Sequence, residues 1–154
     1  MKRHEFGLAD SAATERLGTD LARVLGQGGA VLYLQGELGA GKTTLTRALL
    51  RALGHSGVVR SPSYTLIEPY ELGPRTVFHL DLYRLSVPQE LEFLGLRDLD
   101  PEHDLIVIEW PERGAGGIPP ADIMVRLAYR GEGRQAAVEA VSEHGTTILS
   151  GLKP

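Results

Sequence analysis

The eight residues Gly36–Thr43, which read GELGAGKT, match the pattern GxxxxGK[ST] of a phosphate-binding loop. An apolar segment, residues 30–34, precedes them, and a segment with helical spacing, Lys42–Leu53, follows them. The pattern is meaningful only when a strand comes before it and a helix after it. We therefore predict a strand, a phosphate-binding loop (P-loop) and a helix, in that order.

Each residue type in this loop has a chemical reason. Glycines let the backbone bend so that successive amides converge on phosphate oxygens, and the new helix points its N–H groups at the same anion. Lys42 adds a full positive charge near the β- and γ-phosphates, and the Thr43 hydroxyl can complete the shell of a Mg²⁺ ion. The residues predicted to bind nucleotide here are Gly36, Leu38, Gly39, Ala40, Gly41, Lys42, Thr43 and Thr44.

Lysine usage supports a special role for Lys42. The chain has 16 lysines and arginines, of which only Lys2, Lys42 and Lys153 are lysines. A compact ammonium and a planar guanidinium are not interchangeable. A lysine in the middle of a chain that otherwise uses arginine therefore indicates a specific demand at that position.

The remaining patterns predict an α/β fold. A helix is expected to begin at Ser11, with the Ser11 hydroxyl as its cap, and to end at Gly26, and a short helix is expected at residues 86–94. Strands are expected at residues 64–72, 76–85, 105–108, 123–129, 135–141 and 146–149. We predict a P-loop NTPase-like sandwich whose mixed parallel and antiparallel central sheet is flanked by helices, as one ATPase domain over residues 1–154.

Composition excludes several classes of protein. No apolar run approaches the roughly 20 residues that cross a bilayer, and no signal-peptide pattern is visible, so a cytoplasmic location without membrane contact is expected. The chain has no cysteine, which removes disulfides and thiolate chemistry, and its histidines are scattered. The net charge of −4 argues against nonspecific binding of nucleic acid by the isolated chain.

An acidic residue at the end of a neighbouring strand is expected to hold Mg²⁺. Two candidates fit: Asp81 in residues 77–81, and Glu109, which directly follows the apolar run at residues 105–108. The pattern alone does not divide their roles. The chain has no asparagine, so the Asn-Lys-x-Asp motif that reads guanine is absent and ATP is favoured.

Taken together, several sequence blocks of the chain resemble those of the bacterial TsaE (YjeE) family. The resemblance rests on Gly36–Thr44, Ser61–Leu66 (SPSYTL), His79–Leu85 (HLDLYRL), Glu90–Gly95 (ELEFLG) and Glu109–Glu112 (EWPE). It covers nearly the whole chain and is weakest after Pro120. Ser63 stands where the family pattern leads us to expect threonine, and a hydroxyl is retained.

The resemblance implies an ATPase needed for threonylcarbamoyladenosine, the modified adenosine beside the anticodon of tRNAs that read codons beginning with A. It implies a partner complex of the TsaB–TsaD type, with tRNA involved only indirectly, and ATP hydrolysis that resets or regulates the transferase. It places Mg²⁺ on Thr43 and Glu109, gives Asp81 a hydrolytic role, and makes residues 61–65 a switch-like loop near the γ-phosphate.

The resemblance also suggests contacts near the nucleoside from Ser11 or Thr14 and from Arg134. Plainer interpretations stay open for several residues. Ser11 is equally a helix cap, Arg134 a solvated charge in a turn, Trp110 a core or interface aromatic, and His79 an ordinary strand residue.

The mechanism that these residues and the resemblance together imply is attack of water on the γ-phosphate. Asp81 orients or deprotonates the water, Lys42 stabilises developing charge, and Glu109 holds the metal. No residue is identified as an arginine finger, so slow turnover without a partner is expected. Two alternatives remain: a small P-loop kinase that phosphorylates a metabolite, and a nucleotide-bound adaptor that does not hydrolyse ATP.

Overall fold

The computed structural model describes residues 2–62 and 64–153. The strands are β1 (Arg3–Leu8), β2 (Ala30–Gln35), β3 (Ile67–Leu72), β4 (Arg75–Asp81), β5 (Leu105–Glu109), β6 (Ile123–Arg130) and β7 (Gly133–Ala140). The α-helices are α1 (Ser11–Leu25), α2 (Lys42–Ala52) and α3 (Glu143–Leu149). Short 3₁₀ segments lie at Pro88–Leu94, Leu96–Asp98 and Pro111–Gly114.

The strands form one mixed sheet in the order β1-β7-β6-β2-β5-β4-β3. The central strands β6, β2, β5 and β4 run parallel to one another, whereas β1 pairs with β7, β7 with β6 and β3 with β4 in antiparallel fashion. The predicted mixed sheet flanked by helices is confirmed. The P-loop follows β2 in the parallel centre, where the strands around it end at the same edge of the sheet.

The two faces of the sheet are covered differently. Side chains of β5 alternate, so that Leu105 and Val107 pack with the three α-helices while Ile106 and Ile108 pack with the segment around the 3₁₀ turns. Every residue of β5 is buried. This double burial explains the uninterrupted apolar run of the strand, as expected for a strand covered on both faces.

Close packing of α1 on α2 fixes the helix that follows the P-loop. A Cβ atom at Gly18 of α1 would lie 2.7 Å from the backbone oxygen of Leu45 in α2, so the small residue permits the contact. Leu45 and Leu49 are fully buried beneath it. Truncation of a buried leucine typically costs about 2–5 kcal/mol, so this contact holds the start of α2 firmly against the sheet.

The structure corrects one predicted element and adds one that was not predicted. Residues 146–149, predicted as a strand, belong to α3, because the Ser142 hydroxyl caps that helix by accepting from the Gly145 N–H at 2.9 Å. The edge strand β1 was not predicted; it is only half buried. The hairpin of β3 and β4 is confirmed, although β3 begins at Ile67 and β4 ends at Asp81.

The cap of α1 is also corrected. The Asp10 carboxylate accepts from the Ala13 N–H at 2.9 Å, and Ser11 is the first helical residue. Ser63, noted above as a departure from the family pattern, lies outside the described residues. No helix in the described part of the chain is both long and apolar enough to span a bilayer.

Candidate nucleotide site

The P-loop presents backbone amides at the start of α2. Gly41 is the N-cap of α2 with a φ of +112°, and no side chain caps the helix there. Gly39 has a φ of +81°, and a Cβ at this position would lie 2.5 Å from the Tyr129 hydroxyl oxygen. Both positions therefore need glycine. The uncapped N–H groups and the positive end of the helix dipole together favour an anion.

Lys42 is buried against the loop that it follows. Its ammonium donates to the backbone oxygens of Gly36 and Glu37, the latter at 3.1 Å, and lies 4.5 Å from the centre of the Trp110 ring. Burial lowers the pKa of Lys42, and the nearby carboxylates, Glu109 foremost, partly oppose that shift. The structure thus holds a partly desolvated cation at the loop, where an anion would strengthen its interactions.

Asp81 and Glu109 end two adjacent parallel strands and are paired in register. Asp81 follows Val77 and His79 on one side of β4, and Val77 packs with the α-helices, so these alternate residues face the P-loop side of the sheet. The Asp81 carboxylate accepts from the Tyr83 N–H at 3.1 Å. Burial raises the pKa of Asp81, and the Glu109 charge adds to that rise.

His79 contacts one of these two carboxylates directly. Its Nε2 lies 2.5 Å from a carboxylate oxygen of Glu109, and both side chains are almost fully buried. Its Nδ1 is buried without a hydrogen-bond partner among the described residues. The arrangement is that of a Nε2–H donor that orients an acidic group. The interpretation of His79 as an ordinary strand residue therefore omits its contact with Glu109.

A cleft of about 370 Å³ brings most of the predicted residues together. The predicted members are Leu38, Gly39, Gly41, Lys42, Thr43, Thr44, Ser61, Asp81 and Glu109. Trp110 also lines it and adopts a φ of +57°, a left-handed conformation that is rare for a bulky residue. Tyr83 and Arg84 were not singled out from the sequence, although both lie in the HLDLYRL block that carries the family resemblance.

A second, smaller cavity of about 150 Å³ lies across the P-loop and is lined by the other predicted residues except Gly36, which lines neither of the two cavities. Ser11 and Thr14 of α1 and Arg134 of β7 line it together with Gly39, Ala40, Gly41 and Thr44. The Arg134 guanidinium donates to the Gly39 oxygen at 3.2 Å and lies 4.1 Å from the centre of the Tyr129 ring. Arg134 therefore contacts the P-loop backbone, and its role beside a nucleoside stays a prediction.

The oxygen donors in the cleft suit a magnesium ion that is completed by a ligand. The described residues contain no group of three or more His, Cys, Asp or Glu side chains that could hold a metal alone. Mg²⁺ typically binds through one or two carboxylates, substrate phosphates and water. The Thr43 hydroxyl and the Glu109 and Asp81 carboxylates in one cleft fit that pattern.

Comparisons with known proteins agree with this architecture. Residues 8–137 match the family model described as threonylcarbamoyl adenosine biosynthesis protein TsaE. The protein of that name from Haemophilus influenzae is 42% identical over 147 residues, covering 93% of each chain. The Aquifex aeolicus protein is 35% identical over 133 residues, covering 85% of this chain and 91% of its own.

A solved structure is similar over almost the whole fold. The crystal structure of Bacillus subtilis YdiB superposes with a TM-score of 0.81 at 25% identity, covering 97% of this chain and 93% of that one. The family match runs from the last residue of β1 into β7. The resemblance found in the sequence is therefore confirmed, and the chain belongs to the TsaE family.

Proposed function

We propose that this chain is a Mg²⁺-dependent ATPase of tRNA threonylcarbamoyladenosine biosynthesis. The observation that carries the proposal is one cleft in which the uncapped start of α2 and Lys42 face the carboxylates of Asp81 and Glu109. Amides and an ammonium bind phosphate, and carboxylates hold a metal and orient water. Family membership and the names of the relatives support the biosynthetic role.

In this mechanism the residues of the cleft divide the work. The P-loop amides and Lys42 bind the β- and γ-phosphates, and Thr43 and Glu109 hold Mg²⁺ while His79 orients Glu109. When bound, Mg²⁺ would neutralise phosphate charge. The second cavity, with Ser11, Thr14 and Arg134, would take the nucleoside.

Asp81 is the residue best suited to act on water. Its pKa is raised by burial, so its carboxylate accepts a proton more readily than an exposed one. Water attacks the γ-phosphorus as the bond to the ADP oxygen breaks, and the proton of the water passes to Asp81. Lys42 stabilises the charge that develops on the phosphate oxygens.

We further propose that the ATPase works with a complex of the TsaB–TsaD type and resets or regulates that transferase. Residues 1–154 would act as one ATPase domain in the cytoplasm, where tRNA is modified. The net charge of −4 supports contact with tRNA only through the partner proteins. Tyr64, in the segment beside the cleft, is 85% exposed, which suits a loop that a partner can order.

ATP hydrolysis measured with and without the TsaB–TsaD complex tests the proposal. We expect slow release of phosphate from the chain alone and faster release with the complex. Fast ATP turnover whose rate is the same with and without the complex would contradict the regulatory role. Transfer of labelled γ-phosphate to an added metabolite would instead favour a kinase, and full pathway activity of an Asp81→Ala protein that cannot hydrolyse ATP would favour an adaptor.

A further inference from the structure

Arg84 lies in the cleft close to the end of β4. It lines the cleft with Lys42, Asp81 and Glu109, and among the described lining residues only Lys42 and Arg84 are cationic. Arg113 lies nearby but outside the lining, with its guanidinium 5.2 Å from the centre of the Tyr83 ring. Among the described residues, Arg84 is therefore the arginine that lines the same cleft as Lys42 and the two carboxylates.

Lys42 alone does not balance the negative charges of the cleft side chains. Lys42 contributes one positive charge, and ionised Asp81 and Glu109 contribute two negative charges. With Arg84 the side chains are balanced, whereas without it they are net negative where further negative charge develops on the phosphate oxygens during hydrolysis. Like charges in one partly buried site repel each other, so Arg84 offsets a repulsion that grows as the transition state forms.

The Arg84 guanidinium is held loosely and keeps its donors available. It lies 4.9 Å from the centre of the Tyr64 ring, and in residues 2–62 and 64–153 it makes no hydrogen bond or ion pair. A cation–π contact with an exposed ring is weak. Arg134 differs, because its guanidinium donates to backbone oxygens of Gly39 and Gly133. Arg84 can therefore leave Tyr64 for an anion at small cost.

We propose that Arg84 is a catalytic residue that supplies an arginine in cis. Its guanidinium contacts the γ-phosphate oxygens as the bond to the ADP oxygen breaks, and Tyr64 provides its resting position. Arg84 neither gains nor loses a proton; it stabilises charge that grows in the transition state, as arginine does in other P-loop enzymes. The inference rests on the ATPase proposed above and deepens it.

Single-turnover hydrolysis of labelled ATP by Arg84→Ala, with enzyme in excess, tests the proposal. Since a lost transition-state donor of this kind costs about 10²–10³ in rate, we expect a fall of at least about 100-fold, with ATP affinity changed by less than about fivefold. Arg84→Lys should retain part of the rate, and added guanidinium should partly rescue Arg84→Ala. Arg113→Ala is the matched control and should keep the parent rate.

The outcomes separate this inference from the proposed function. If the parent hydrolyses ATP and Arg84→Ala does so at the same rate, the role of Arg84 is wrong and the ATPase stands. A loss of ATP affinity with no loss of rate also overturns it, because Arg84 would then act in binding alone. If the parent binds no ATP, the ATPase and the role of Arg84 fail together. Arg84 is exposed, and an unchanged thermal melt verifies that each variant is folded.

Discussion

Replacement of Lys42 by methionine removes one charge from the cleft and little else. The methionine retains most of the apolar stem, while the ammonium, which donates to Gly36 and Glu37 and lies 4.5 Å from the centre of the Trp110 ring, is lost. Because burial lowers the pKa of Lys42, the charged form lowers the free energy of unfolding; this cost is full below the lowered pKa and vanishes as pH rises above the ordinary value of 10.5. Near neutral pH, Lys42→Met should therefore be at least as stable as the parent.

The loss of nucleotide affinity can be estimated from the same contacts. An ammonium about 4 Å from a phosphate charge gains about 4 kcal/mol at the effective dielectric constant of a protein surface. To reach that phosphate, Lys42 must exchange two hydrogen bonds to backbone oxygens, which offsets about 1–2 kcal/mol. A net loss of about 2–3 kcal/mol corresponds to a roughly 30- to 150-fold rise in Kd.

Calorimetric titration with ATP and Mg²⁺ measures this change directly. The parent, Lys42→Met and Lys153→Met would be compared, the last as a control because Lys153 is exposed and outside the cleft lining. We expect the full loss in Lys42→Met and parent-like affinity in Lys153→Met. A folded Lys42→Met protein whose Kd for ATP stays within about threefold of the parent value would refute the estimate and show that the nucleotide site is wrongly assigned.

Three further changes test other parts of the site. Asp81→Asn should raise stability near neutral pH and abolish hydrolysis. Because burial raises the Asp81 pKa, the contribution of the protonated carboxyl to the free energy of unfolding is full below the ordinary pKa of 3.8 and is lost as pH rises through the folded pKa. Denaturant unfolding across that pH range measures the difference in unfolding free energy between Asp81→Asn and the parent. A difference that shrinks with rising pH would contradict the raised pKa of Asp81. His79→Leu should weaken Mg²⁺ binding about 10- to 100-fold and retain the nucleotide affinity measured without Mg²⁺, whereas His79→Gln, which keeps a donor for Glu109, should lose less metal affinity. Titration with Mn²⁺, followed by electron paramagnetic resonance, measures the metal affinity. Equal losses in both variants would argue against orientation of Glu109 by a hydrogen bond. Asp10→Ala should cost about 1 kcal/mol of unfolding free energy, whereas Ser11→Ala should cost less than about 0.5 kcal/mol. The reverse order in thermal melts would identify Ser11 as the capping residue of α1.

Local patterns in the sequence were sufficient to predict the centre of the fold. The P-loop follows β2 and opens α2, and the apolar run before Glu109 becomes the fully buried β5. These elements are strongly patterned because both faces of the central strands are covered. Asp81 and Glu109 could be placed at strand ends, but their pairing in register depends on the order of strands in the sheet.

The errors occurred where local signals were weak or ambiguous. Residues 146–149 contain two threonines and an isoleucine, whose β-branched side chains favour a strand, yet the cap formed by Ser142 makes them helical. The edge strand β1 is short and half exposed, so its pattern is faint. Asp10 and Ser11 are adjacent capping residues, and the sequence does not distinguish a shift of one position.

The cleft added contacts that no linear pattern contains. His79 reaches Glu109 from the neighbouring strand, and Arg84 reaches the cavity that Lys42 enters from α2. Each contact joins residues far apart in the chain, so it depends on the tertiary fold. Both residues nevertheless lie in the HLDLYRL block, whose dense polar pattern after an apolar strand could have directed attention to them.

A crystal structure of the chain with Mg²⁺ and a non-hydrolysable ATP analogue is the most direct test. We expect the β- and γ-phosphates on the amides at the start of α2, beside Lys42, with the metal on Thr43 and Glu109 and Asp81 facing the γ-phosphate. A triphosphate bound elsewhere on the molecule, or a metal held without Thr43 and Glu109, would contradict the account.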